Sequence, residues 1–139
     1  MAVMLNSLVG VKINSVDISD HVSSATLTQN FDELEITSLG DSAHRYVKGL
    51  EASTLSLDFF NDFAASQITP TLQAAYGTTV TAVIIPVKGT AVSASNPLYT
   101  VSILINNLTP ISGDVASINS ASISFTCNST VVQTTTGTF

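Results

Sequence analysis

The segment ATLTQNFDELEITSLGDSAHRYVKGLEASTLSLDFFNDF, Ala25 to Phe63, holds two runs of alternating apolar and polar residues around a charged loop. Ala25, Leu27, Gln29 and Phe31 fall on one side of the first run, with Thr26, Thr28 and Asn30 on the other, the period of a half-covered strand. The phase then shifts, because Leu34 and Ile36 become the apolar positions. A one-residue shift moves every side chain to the other face, so a bulge or bend is expected at Asp32-Glu33. Ser38 to Gly49, with Gly40, Asp41, His44, Arg45 and Lys48, is expected as a loop. Leu55, Leu57 and Phe59 alternate with Thr54, Ser56 and Asp58, giving a second strand able to pair antiparallel with the first.

This segment also concentrates the charge. It holds Asp32, Glu33, Glu35, Asp41, Glu51, Asp58 and Asp62 of the chain's 10 acids, and Arg45 and Lys48 of its 4 Lys and Arg. Elsewhere the chain is mostly Ser, Thr, Ala, Val and Ile. Three readings of the cluster compete. It is a solvated hairpin tip, or a local ion pair of Arg45 or Lys48 with Asp41 or Glu51, worth ~0–1 kcal/mol if exposed. Or it sets register between subunits, where complementary charges select a partner more than they add affinity.

Outward from it the pattern stays β. Val9, Val11 and Ile13 alternate into a short strand, and Asp17-Ile18-Ser19-Asp20 supplies turn chemistry, with His21 as a turn residue. Ile68, Leu72, Ala75 and Tyr76 recur at helical spacing, with Thr69 as N-cap, Pro70 at the first helical position and Gly77 as the stop. Thr78 to Val87 is a β-branched run broken by Pro86. Tyr99, Val101, Ile103 and Ile105 form a further strand, as do Ala121, Ile123, Phe125 and Cys127. The expected fold is all-β: one domain over residues 1–139, an antiparallel β-sandwich or barrel of about seven strands. One short flanking helix and a long extended hairpin complete it, and the Thr-rich residues 128–139 are expected as a flexible tail.

Composition narrows the function. Charged residues make up 10 % of the chain, against roughly 25 % in typical soluble domains, which suits a surface buried in an oligomer. Four basic residues cannot build a phosphate-binding surface, so specific nucleic-acid binding is not expected. Cys127 has no second cysteine to pair with and reads as a small buried hydrophobe. Met1–Gly10 has neither the basic start nor the apolar run of a signal peptide, and no stretch reaches the ~18 apolar residues of a membrane span. Folding in the cytosol is expected.

Catalytic constellations are scarce. The two histidines are far apart in sequence, no Gly-x-Ser-x-Gly elbow singles out a serine, and neither a P-loop nor a Gly-x-Gly-x-x-Gly is present. Asp32, Glu33 and Glu35 contain the carboxylates of a glycosidase pair but lack aromatic sugar platforms beyond Phe31. Neither enzymatic activity nor a cofactor or metal is expected.

The run Asp32-Glu33-Leu34-Glu35-Ile36-Thr37-Ser38-Leu39-Gly40-Asp41, then Arg45-Tyr46-Val47-Lys48-Gly49-Leu50 and Ala52–Phe60, resembles the tail tube proteins of long-tailed, non-contractile bacteriophages. Asp17-Ile18-Ser19-Asp20-His21-Val22, Asn96-Pro97-Leu98-Tyr99 and the stretch from Leu108 to Gly113 extend the resemblance over Val11 to Phe125. It implies subunits that close into hexameric rings and stack into a tube in the virion tail, assembled in the host cytoplasm. The partners implied are further copies of the chain and the tail-tip initiator, tape measure and tail terminator proteins, with DNA passing through unbound. A hairpin of Ala25–Ile36 with Ala52–Phe60 would join an inner barrel, and the Ser38–Gly49 loop would reach the next ring. Asp41, His44, Arg45 and Lys48 would then make ring-to-ring contact, and Asp32, Glu33, Glu35 and Asp58 would line the lumen. Tail-tip rings and the inner tubes of contractile machines share the fold this resemblance implies, and the alternative reading is another virion structural protein, a tail-tip ring or a capsid decoration protein. A monomeric β-sandwich binding module is the reading from another class, and the scarcity of aromatics argues against it.

Overall fold

The computed structural model of the protein describes residues 8–139, so the reading of Met1–Gly10 falls mostly outside the described residues. The architecture is all-β, with ten strands and one short helix among the described residues. The strands are β1 (Gly10–Ile13), β2 (Val16–Asp17), β3 (Val22–Thr28), β4 (Phe31–Glu35), β5 (Tyr46–Glu51), β6 (Thr54–Phe60), β7 (Thr79–Ile85), β8 (Leu98–Leu104), β9 (Ser120–Cys127) and β10 (Val132–Thr134). The helix is α1 (Ile68–Ala75).

Eight strands form one antiparallel sheet in the order β2-β1-β7-β8-β9-β6-β3, with β10 beside β8. The sheet divides at β8. Leu98 to Thr100 pair with β10, and only Ile103 and Leu104 pair with β9. Its two halves wrap one core, with Val11, Ile13, Ala82, Ile84 and Val101 on one side and Leu55, Leu57, Phe59, Ile123 and Phe125 on the other. The alternation read in the sequence is the alternation of burial here: Leu55, Leu57 and Phe59 point in, as do Ala121, Ile123, Phe125 and Cys127. Burying such side chains, at roughly 1.5–3 kcal/mol each, drives the closure.

The helix closes one flank through Ile68, Leu72 and Ala75. Its start differs from the expectation. Gln67, not Thr69, occupies the N-cap, with no side-chain cap. Thr69 lies inside the first turn, where its hydroxyl accepts from the Asp62 N–H at 3.0 Å and donates to Asn61 Oδ1 at 3.2 Å. Pro70 is tolerated there because first-turn N–H groups have no helical partner. Gly77 ends the helix at φ +83°, the left-handed conformation a stop requires.

The Thr-rich end also differs from the expected flexible tail. Val132, Gln133 and Thr134 pair with Thr100, Tyr99 and Leu98. The Phe139 ring packs close over Gly10, with the Lys12 ammonium 4.6 Å from its centroid. A sequence of small polar residues gave no apolar period, so backbone pairing decides this segment.

Candidate functional site, a projecting hairpin

β3 and β6 pair from Val22↔Phe59 to Thr28↔Thr54, and the same two chain segments pair again as β4 with β5. Between the two ladders lies a break. The Ala52 N–H donates to the Asn30 carbonyl at 2.7 Å, and the Asn30 N–H donates to Ser53 Oγ at 3.3 Å. Ser53 is buried, and its carbonyl accepts from the Cys127 N–H at 3.1 Å. Beyond this joint the hairpin leaves the core. Phe31, Leu34, Ile36, Tyr46, Val47 and Leu50 are all exposed. The expected hairpin is therefore present, but its returning strand starts at Tyr46, so Tyr46–Gly49 are strand and the connecting loop is residues 36–45.

The bulge expected at Asp32-Glu33 is found on the opposite strand: β4 keeps its alternation, and the register changes between Phe31↔Glu51 and Glu33↔Lys48. Two steps on β4 oppose three on β5, so the extra residue sits on β5, at Gly49-Leu50. A Cβ at Gly49 would stand 2.7 Å from the Asp32 carbonyl oxygen, closer than side chains pack. Glycine is what lets the two backbones meet.

Directly opposed residues of an antiparallel ladder share a face. Glu33 opposes Lys48, Leu34 opposes Val47 and Glu35 opposes Tyr46. One face therefore carries Phe31, Glu33, Glu35, Tyr46 and Lys48, with the Lys48 ammonium 5.6 Å from the Phe31 ring centre. The other carries Asp32, Leu34, Ile36 and Val47, joined by Arg45 where the Ile36 N–H donates to the Arg45 carbonyl at 2.8 Å. The loop is braced by its own polar groups. Asp41 accepts from the Ser38 N–H at 2.8 Å and the Ser38 hydroxyl at 3.1 Å, and the Thr37 hydroxyl accepts from the Arg45 N–H at 2.9 Å. His44 Nδ1 bonds Glu35, and Arg45 stands 3.6 Å from Asp41.

The residues singled out in the sequence are thus only partly brought together. His44 and Arg45 are exposed on the loop, while Asp41 is turned inward onto Ser38. Lys48 lies on strand β5, not in the loop where it was expected. Of the four candidate lumen acids, Glu33 and Glu35 share a face. Asp32 is on the reverse. Asp58 sits on β6 in the main sheet, opposite Ser24 and Ser122, where it accepts from the Ser122 hydroxyl.

The sequence offers Glu51 only as an ion-pair partner for Arg45 or Lys48, and its place in the structure is different. Its carboxylate accepts from the Val131 N–H at 2.7 Å and the Ser53 hydroxyl at 2.8 Å, tying the hairpin base to the segment before β10. Those two bonds, with Lys48 nearby, hold its carboxyl below the usual range despite some desolvation. Nothing in the local sequence signals this, because Val131 is 80 residues away.

Among the described residues no group of three or more His, Cys, Asp and Glu is placed to hold a metal. Burial, reinforced by the Glu51 charge, pushes the Cys127 thiol up, away from the reactive thiolate. No helix among the described residues is long and apolar enough to cross a membrane. No protein-family model matches the chain, and no curated protein matches it.

Proposed function

We propose that this protein is a non-enzymatic tail tube subunit of a long-tailed bacteriophage, working in the virion tail. It assembles in the host cytoplasm with copies of itself into stacked rings through which DNA passes unbound. The observation that carries this reading is the β4–β5 hairpin, which exposes Phe31, Leu34, Ile36, Tyr46, Val47 and Leu50 and stands clear of the core formed by the described residues. A monomer rarely leaves such surface open unless a partner covers it. The hairpin edges, with the outer edge of β3, carry backbone groups that no described strand pairs, and ring closure would pair them. The initiator, tape measure and terminator proteins of a tail are the expected heterologous partners.

Negative-stain electron microscopy of the concentrated protein, together with its mass in solution, tests this. Hollow tubes or six-fold rings are the expected outcome. A protein that stays monomeric even with a tail-tip initiator present would overturn it and favour a monomeric binding module.

A further inference from the structure

One carboxylate oxygen fastens the hairpin to the body. From Phe31 to Leu50 no residue is buried, so core packing does not set the angle at which β4 and β5 stand. Among the described residues one backbone bond, from the Ala52 N–H to the Asn30 carbonyl, crosses the break between the β3–β6 and β4–β5 ladders. A few residues at the end of an element are enough to make a hinge. This one is restrained by a relay of side-chain bonds. The Asn30 N–H donates to Ser53 Oγ at 3.3 Å, and the Ser53 hydroxyl donates to Glu51 Oε2 at 2.8 Å. The same oxygen accepts from the Val131 N–H at 2.7 Å. Asn30 precedes the outgoing arm of the hairpin and Glu51 ends the returning one, so both arms hang on one acceptor.

The far end of the relay is firmly held. Val131 is buried in the core. On one side of it the Asn128 N–H donates to the Ser102 carbonyl at 2.6 Å, and Ser129 Oγ accepts from the Ser102 N–H at 2.9 Å. On the other side Val132, Gln133 and Thr134 pair with β8. Residues 128–134 are therefore a strap, bound to β8 on both sides of Val131, that aims one N–H at the hairpin base. A hydrogen bond to a charged acceptor is stronger than one between neutral groups. Leverage makes the bond matter. The six residues from Phe31 to Ile36 extend roughly 20 Å at ~3.3 Å per residue, so a pivot of about 10° at the joint would carry their far end about 3 Å. No docked contact tolerates that displacement.

We propose that Glu51 is the latch of a hinge. With its two bonds made, the hairpin is held at one angle to the body and its exposed faces are pre-organised for docking. With them broken, the hairpin pivots as a unit about Asn30 and Ala52. Glu51 is thus a positioning residue, acting through the pose of a surface that lies beyond it. The latch works within a single chain, so it stands or falls apart from the tube reading.

Distances between two nitroxide labels, read by pulsed electron spin resonance, test the latch. In a Cys127→Ala background the labels are placed at Val47→Cys on β5 and Ser120→Cys at the far end of β9, both exposed positions. The measurement is made at a dilution where the mass in solution is that of one chain. With Glu51 intact a single narrow distribution is expected, and with Glu51→Leu one about twice as wide or wider. Glu51→Gln, which keeps an oxygen for both donors, is expected to fall between the two. Hydrogen exchange separates pivoting from melting. In Glu51→Leu the Val131 amide should exchange roughly tenfold faster, having lost its acceptor. The Ile36 amide, bonded across the hairpin to the Arg45 carbonyl, should stay protected. An equally narrow distribution in Glu51→Leu would overturn the latch and leave the angle to the backbone joint. A broad distribution with Glu51 intact would also overturn it. Loss of Ile36 protection would do the same, because the hairpin would then melt and not pivot.

Discussion

Gly49 shows how much one residue can fix. The bulge on β5 requires Gly49 to lie against the Asp32 carbonyl, where any Cβ would be 2.7 Å away. Gly49→Ala is therefore expected to force the two strands apart and destabilise the hairpin by about 1–3 kcal/mol, as overpacking does. Faster hydrogen exchange at the Leu34 and Ile36 amides, with β6 and β9 amides unchanged, would report it. Unchanged exchange at both would show that the bulge relaxes elsewhere. The phase shift in the sequence placed the bulge at Asp32-Glu33, but the extra residue is on the strand opposite. Register is a property of two strands, and Gly49 reads alone as a loop glycine.

At the scale of the element, the hairpin separates charges that looked alike in the sequence. Arg45 belongs to the apolar face and Lys48 to the face with Glu33 and Glu35. Reversing both, with Arg45→Glu and Lys48→Glu, is expected to block tube growth while leaving the subunit folded, because neither side chain touches the core. Tubes of normal length in the electron microscope would remove the hairpin charges from the assembly contact. The candidate lumen acids divide in the same way. Glu33→Lys with Glu35→Lys changes one face by four charges and is expected to slow DNA release from intact virions, since a cationic wall holds phosphates. Asp32→Lys and Asp58→Lys, on other surfaces, are expected to alter release less. Equal effects from all four positions, read as ejection rate, would contradict the facial assignment.

The whole molecule is held by one apolar core and by carboxylates that fasten distant segments. Asp62 accepts from the Ala64 N–H at 2.9 Å and lies 2.7 Å from His21 Nε2, which together hold its carboxyl low despite desolvation. At Asp17, partial burial raises the carboxyl, but Lys88 at 2.7 Å and Ser19 outweigh it and leave it below the usual range. With Glu51 these are three groups whose folded values lie below their unfolded ones. Their contribution is present above the ordinary carboxylate range of about 4 and is lost as pH falls through the folded values. Unfolding midpoints in urea should thus be steady from neutral pH to about 5 and drop below about 4. Glu51→Gln should lower the neutral midpoint and shrink the acid-side drop. A slope identical to that of the unmodified protein would show that Glu51 is not coupled to folding.

The spacing of apolar residues by itself determined the all-β class, the strands around Leu57, Ile103 and Ile123 by their period of two, and by helical spacing the helix that stops at Gly77. These are local facts, because side-chain period and turn chemistry are written in neighbouring residues. Tertiary structure alone decided that β4 and β5 stand clear of the core while β6 and β9 bury alternate side chains in it. It also decided that β10 docks on β8, that Glu51 ties the hairpin base to Val131, and that Asp32 and Asp58 part from Glu33 and Glu35. The reason is physical. A period of two says that one face of a strand is apolar, but what covers that face depends on which strands pair, and pairing is settled between segments far apart in the chain.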